Sequence, residues 1–145
     1  AFDQAHEDPF ARGADAALFI GDVALRPALY PAVPLRWDLG REWWEWRGLP
    51  FAFAVWQARD DVDPERLRAL HAALLESRRY GLGSRAELAE RYAAHFGLPA
   101  ALLDAYWASL SYELDAPMRA GLESFYALAA EIGELGRAPE LRWLE

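Results

Sequence analysis

Two acids in this chain stand where an acid can meet a ligand. Asp22 follows the apolar run Ala16–Ile20 and Gly21, and Asp38 follows Leu35-Arg36-Trp37. Each comes after a short stretch with strand character and before helical sequence. That places both at carboxyl ends of a sheet, where ligands gather in open α/β folds. Two carboxylates brought close can divide acid–base work, one holding a proton while the other lacks it. The same positions also have a structural use. Asp22 can cap the turn Val23-Ala24-Leu25, and Asp38 can N-cap a helix from Leu39, with Glu42 in its first turn suited to the macrodipole. From residue types alone both uses stay open.

Much other chemistry is excluded. There is no Cys, hence no disulfide, thiolate nucleophile or Cys-ligated metal. All 15 basic residues are Arg, so neither a Schiff-base lysine nor a P-loop lysine is available. Asn is missing as well, which removes N-glycosylation. No serine stands in a Gly-x-Ser-x-Gly elbow, and no His-Glu-x-x-His spacing occurs. His6-Glu7-Asp8 reads as a solvated end rather than a metal site, and His71 as a packed or solvated helix residue. Gly81-Leu82-Gly83-Ser84 lacks the lysine and the longer glycine pattern of a phosphate loop, so it reads as a turn. A formal net charge of −8 opposes a sequence-independent grip on nucleic acid. It leaves room for an anionic small molecule held by a few arginines and helix N-termini. No apolar run approaches the roughly 20 residues that cross a bilayer.

The elements that must position these residues centre on Leu35 to Arg59, which carries five of the seven tryptophans. Phe51, Phe53 and Val55 alternate with Ala52, Ala54 and Trp56. Both faces are therefore apolar, which predicts a strand buried on both sides under helices. Aromatic core is the expected role of Phe51, Phe53 and Trp56, while Trp43, Trp44 and Trp46 cannot all face inward from one short helix. Arg47-Gly48-Leu49-Pro50 is the turn between helix and strand. Asp60 to Pro64 opens a helix with a Leu67, Leu70, Leu74, Leu75 stripe, broken at Tyr80–Ser84. Ser84 with Glu87 predicts a capping box for a second helix ending at Gly97. Pro99 opens a third, ending near Leu114, and Asp115 with Pro117 opens a fourth, closed by Gly133 and Gly136. The fold class expected is thus α/β, with a strand-containing part at 1–59 and a helical part at 60–145 packing on the sheet.

Three linked motifs then carry a family resemblance. They are Asp15 to Leu25 (DAALFIGDVAL), Trp37 to Trp43 (WDLGREW) and Gly48 to Trp56 (GLPFAFAVW). With Tyr106 to Leu114 and Gly121 to Phe125 they span most of the chain, which resembles the chorismate dehydratases of the futalosine route to menaquinone. The sister family, the 1,4-dihydroxy-6-naphthoate synthases, shares the Asp-Leu-Gly and Gly-Leu-Pro elements. It would carry a histidine where this chain reads Gly21-Asp22, and that favours the dehydratase.

The resemblance implies a two-lobed fold of the type II periplasmic-binding-protein kind, with this chain as its C-terminal half and the first lobe upstream of Ala1. It implies a cytoplasmic lyase that removes water from chorismate, with no cofactor and no metal. The partner it implies is a small molecule, not nucleic acid or membrane, and a homodimer is compatible with it. Asp22 is the implied catalytic residue, with Gly21, Asp22, Asp38 and Trp43 as substrate-binding residues. The rival reading is a non-catalytic small-anion binding module of the same fold.

Overall fold

A computed structural model describes residues 7–26 and 33–144. The elements among these residues are a short 3-10 helix at Gly21–Leu25 and five α-helices: α1 (Leu39–Arg47), α2 (Pro64–Gly83), α3 (Arg85–Phe96), α4 (Ala100–Ser109) and α5 (Ala116–Glu131). They fall into two compact units. The first is Ala1–Leu35 with Gly83–Ser109, and the second is Arg36–Leu82 with Leu110–Glu145.

The first unit is built on α3 and α4. Ala89, Leu98 and Leu103 form its buried centre, with Leu25, Phe96 and Trp107 packed around it. The chain reverses between the helices at Gly97, whose φ of 60° is left-handed and costs glycine nothing. Gly97 N–H donates to Ala94 O at 3.3 Å and Leu98 N–H to Ala93 O at 3.1 Å. This paired closure satisfies two end carbonyls and turns Leu98 into the core. Arg85 Nε donates to Asp104 Oδ1 at 2.7 Å across the two helices. Arg26 Nη2 donates to Phe96 O at 2.6 Å, tying the end of the 3-10 helix to the end of α3.

The second unit is organised around α1, the segment after it, and α5. Asp38 caps α1, its Oδ1 accepting from Gly40 N at 2.9 Å and Arg41 N at 3.1 Å. Gly48 ends the helix at a left-handed φ of 66°, donating to Trp44 O. Leu49-Pro50 then runs against α5 so closely that a Cβ on Gly121 would lie 2.1 Å from Pro50 O. Trp43, Phe51 and Phe125 meet edge to face, with centroids 5.3–6.0 Å apart. Asp115 caps α5 by accepting from Met118 N at 3.0 Å.

The expected α/β class is overturned: among the described residues there is helix and no strand. Ala16–Ile20, Leu35–Asp38 and Phe51–Trp56 are non-helical, as their composition suggests, but among the described residues they build no sheet. A β-strand exists only as part of a ladder, and an apolar run reports a tendency to burial rather than a pairing partner. No backbone–backbone hydrogen bond among the described residues engages Phe51–Trp56. The expected burial on both sides fails with it, since Phe53 is 74% and Trp56 82% exposed. The periplasmic-binding-protein architecture therefore has no support in this structure.

The helices match more closely. α1, α2 and α5 begin where Asp38, Pro64 and Asp115 predict, and α3 ends at Gly97. α2 runs through Tyr80-Gly81-Leu82-Gly83 and breaks only at Ser84, because helical glycines cost about 1 kcal/mol each and do not forbid the helix. Ser84 precedes α3 without a side-chain cap bond, so the predicted capping box does not form. α4 stops at Ser109, five residues before the predicted end.

Candidate functional site

The residues singled out for chemistry lie in both units. Gly21 and Asp22 open the 3-10 helix of the first unit, Gly21 at a left-handed φ of 72° and Asp22 in the first turn. Asp22 is exposed, and Ile20 rather than Asp22 occupies the capping position, where no side chain caps the helix. The structural use predicted for Asp22 is thus absent, and no cap bond engages its carboxylate.

Asp38 and Trp43 belong to the second unit. Asp38 spends its carboxylate on the two backbone N–H groups at the start of α1. Trp43 is 8% exposed, while Trp44 and Trp46 are 56% and 66% exposed, as one short helix with three tryptophans requires. Trp43 Nε1 is buried without a hydrogen-bond partner among the described residues. Arg41, on the same turn, is held above its ordinary value by its side-chain hydrogen bond to Glu45, so it stays cationic.

An open cavity of about 430 Å³ lies beside Trp43, lined by Leu39, Glu42, Trp46, Phe51 and Phe125. Leu39, Glu42, Trp43 and Trp46 follow helical spacing along one face of α1. That spacing was visible in the sequence; the meeting of this face with Phe51 and Phe125 was not. The lining is aromatic with a single carboxylate and no cation. A dianion placed there would meet Glu42 and find no charged donor, so this cavity suits an uncharged ring or an apolar side chain. His71 and the Gly81–Ser84 segment form part of helix α2 and its end, with no phosphate-loop geometry. His6 lies outside the described residues. Among the described residues no three His, Cys, Asp or Glu side chains are grouped to hold a metal.

Comparison with known proteins then decides the family. The model of a family described as "Menaquinone biosynthesis" matches residues 2–131. The chain belongs to this menaquinone biosynthesis family. Among curated proteins, it is 39% identical over 126 residues to the chorismate dehydratase of Thermus thermophilus. The alignment covers 77% of this chain and 46% of that relative, so the chain spans less than half the length of this curated relative. The matched span of this menaquinone-biosynthesis member takes in all five helices and each of the four predicted site residues. No helix of the described residues is long and apolar enough to cross a membrane.

Proposed function

We propose that this chain works as part of a chorismate dehydratase, a lyase that removes water from chorismate to give 3-[(1-carboxyvinyl)oxy]benzoate. One observation carries the reading: the 39% identity over 126 residues to the Thermus enzyme, set within the family match. In the reaction the ring hydroxyl leaves as water with a proton from the adjacent ring carbon, and the ring becomes aromatic. No electrons are exchanged with a second reactant, so the chemistry calls for no redox cofactor. Much of the driving force belongs to the substrate. The protein's task is to hold a dianion in an eliminating geometry and to keep competing rearrangements out.

In this reading Gly21 and Asp22 contact the substrate, with Asp22 on the side of the departing hydroxyl. The exposed carboxylate of Asp22 supports that role, since it is free of a capping bond that binding would break. Asp38 acts through the start of α1, which it fixes, and Trp43 through packing. The enzyme works in the cytoplasm, and a homodimer is the assembly to test by light scattering.

The test is direct. Chorismate incubated with a family-length protein carrying this sequence should yield the absorbance of an aromatic product. Asp22→Ala should lower turnover by about 10²-fold or more, the scale of a lost acid–base group. Wild-type turnover in Asp22→Ala would remove Asp22 from the site, and chorismate binding without product would favour a binding module instead.

A further inference from the structure

Residues 137–144 lie beyond the stretch that the family model matches and carry no helix. They nevertheless touch the rest of the second unit, to which they belong, at two separated places. Arg142 Nη2 is 2.5 Å from Asp60 Oδ2, in the turn that leads into α2. Trp143 lies under the guanidinium of Arg119, 4.9 Å from Cζ to ring centroid. Arg119 sits in the first turn of α5, where its Nε donates to Leu114 O at 3.0 Å. Residues 137–140 are all exposed, and from there exposure alternates: Leu141 and Trp143 are half-buried, Arg142 and Leu144 exposed. A segment laid across a surface alternates in this way, one side chain toward the protein and the next toward water.

Both fastenings are of a weak kind. The Arg142–Asp60 pair is 70% and 80% exposed, so water and salt screen it. A single stacked Arg–Trp contact at a partly open site adds modestly. α2 and α5, by contrast, are held by continuous helical hydrogen bonds. Segments with few buried contacts and exposed fastenings open locally while the rest of a fold stays closed.

We propose that residues 137–144 form a releasable strap, clasped to the entry of α2 by Arg142–Asp60 and to the entry of α5 by Trp143–Arg119, which opens as one piece while the helices persist. Its release uncovers the guanidinium face of Arg119 and leaves the Arg119–Leu114 bond in place. The inference rests on these two contacts and is independent of the proposed reaction.

Limited trypsin digestion of the intact chain tests it, because Arg137 and Arg142 supply cleavage sites within the strap. With Asp60→Asn, cleavage after Arg137 should speed up by about two- to fivefold, the range one exposed ion pair supports. The circular dichroism of the helices should not change. Trp143→Ala, which opens the other clasp, should act in the same direction, and the double variant should exceed either alone. In about 1 M salt, where the screening length falls to ~3 Å, wild type should approach the Asp60→Asn rate. Equal rates in wild type and both variants would overturn the proposal. So would cleavage after Arg66, Arg68 or Arg119 keeping pace with cleavage after Arg137, since the helices would then open together with the segment.

Discussion

Asp38 and Asp22 differ in what their carboxylates are already doing. Asp38 accepts two backbone hydrogen bonds, from residues two and three positions ahead. Removing it leaves the first N–H groups of α1 without that partner. Asp38→Ala should therefore cost about 1 kcal/mol, with Tm falling by roughly 2–5 °C in thermal denaturation. Asp38→Ser, which keeps a capping oxygen, should recover most of the loss. If Asp38 instead contacted substrate directly, Asp38→Ser would regain stability without regaining turnover. This cap was legible in the sequence because its partners are neighbours along the chain. Asp22 was not legible in the same way. Whether an exposed acid meets a ligand depends on surfaces far away in sequence, and an acid after a glycine says nothing of them.

The helices show which elements local sequence can specify. Starts marked by Asp38, Pro64 and Asp115 and a stop marked by Gly97 all rest on backbone groups that neighbouring residues satisfy. The extended segments needed a partner strand, and composition cannot say whether one exists. Gly121 is the instructive position between these cases. The sequence marks it only as a glycine inside a helix, normally a weakness. The structure gives the reason, since a Cβ there would meet Pro50 O at 2.1 Å. Gly81, also helical, has nothing within 4 Å of the same added atom. The two substitutions should have opposite signs. Gly121→Ala should destabilise by about 1–3 kcal/mol through forced backbone displacement. Gly81→Ala should stabilise by about 0.5–1 kcal/mol through a less flexible unfolded chain and better helix propensity. Paired denaturant titrations would measure both, and a shared sign would show that α5 does not approach Pro50 as described.

At the scale of the whole chain, the question is how so apolar a sequence leaves so much aromatic surface uncovered. Among the described residues five hydrophobic ones are buried, Trp43, Leu103 and Leu122 among them, while Trp37, Trp46, Phe53 and Trp56 are each more than 60% exposed. Exposed aromatic side chains contribute little to folding but favour association. The formal charge of −8 opposes association through repulsion between copies. These opposing terms make a pH-dependent prediction with a fixed sign. The sequence pI is about 4.9, so lowering the pH from 7 toward that value removes the repulsion and leaves the aromatic attraction unchanged. Light scattering should then rise as pH falls through 6 to 5. Replacing Phe53 and Trp56 together by Gln should shift that rise to lower pH. The same change should alter unfolding free energy by only about 0.5 kcal/mol, because both residues lie in water in the folded chain. Leu103→Ala, at a residue 1% exposed, should do the reverse, costing about 2–5 kcal/mol with little effect on scattering while the chain stays folded. Should the Gln pair instead destabilise the chain by several kcal/mol, the side chains of the Phe51–Trp56 segment would have to be buried in solution.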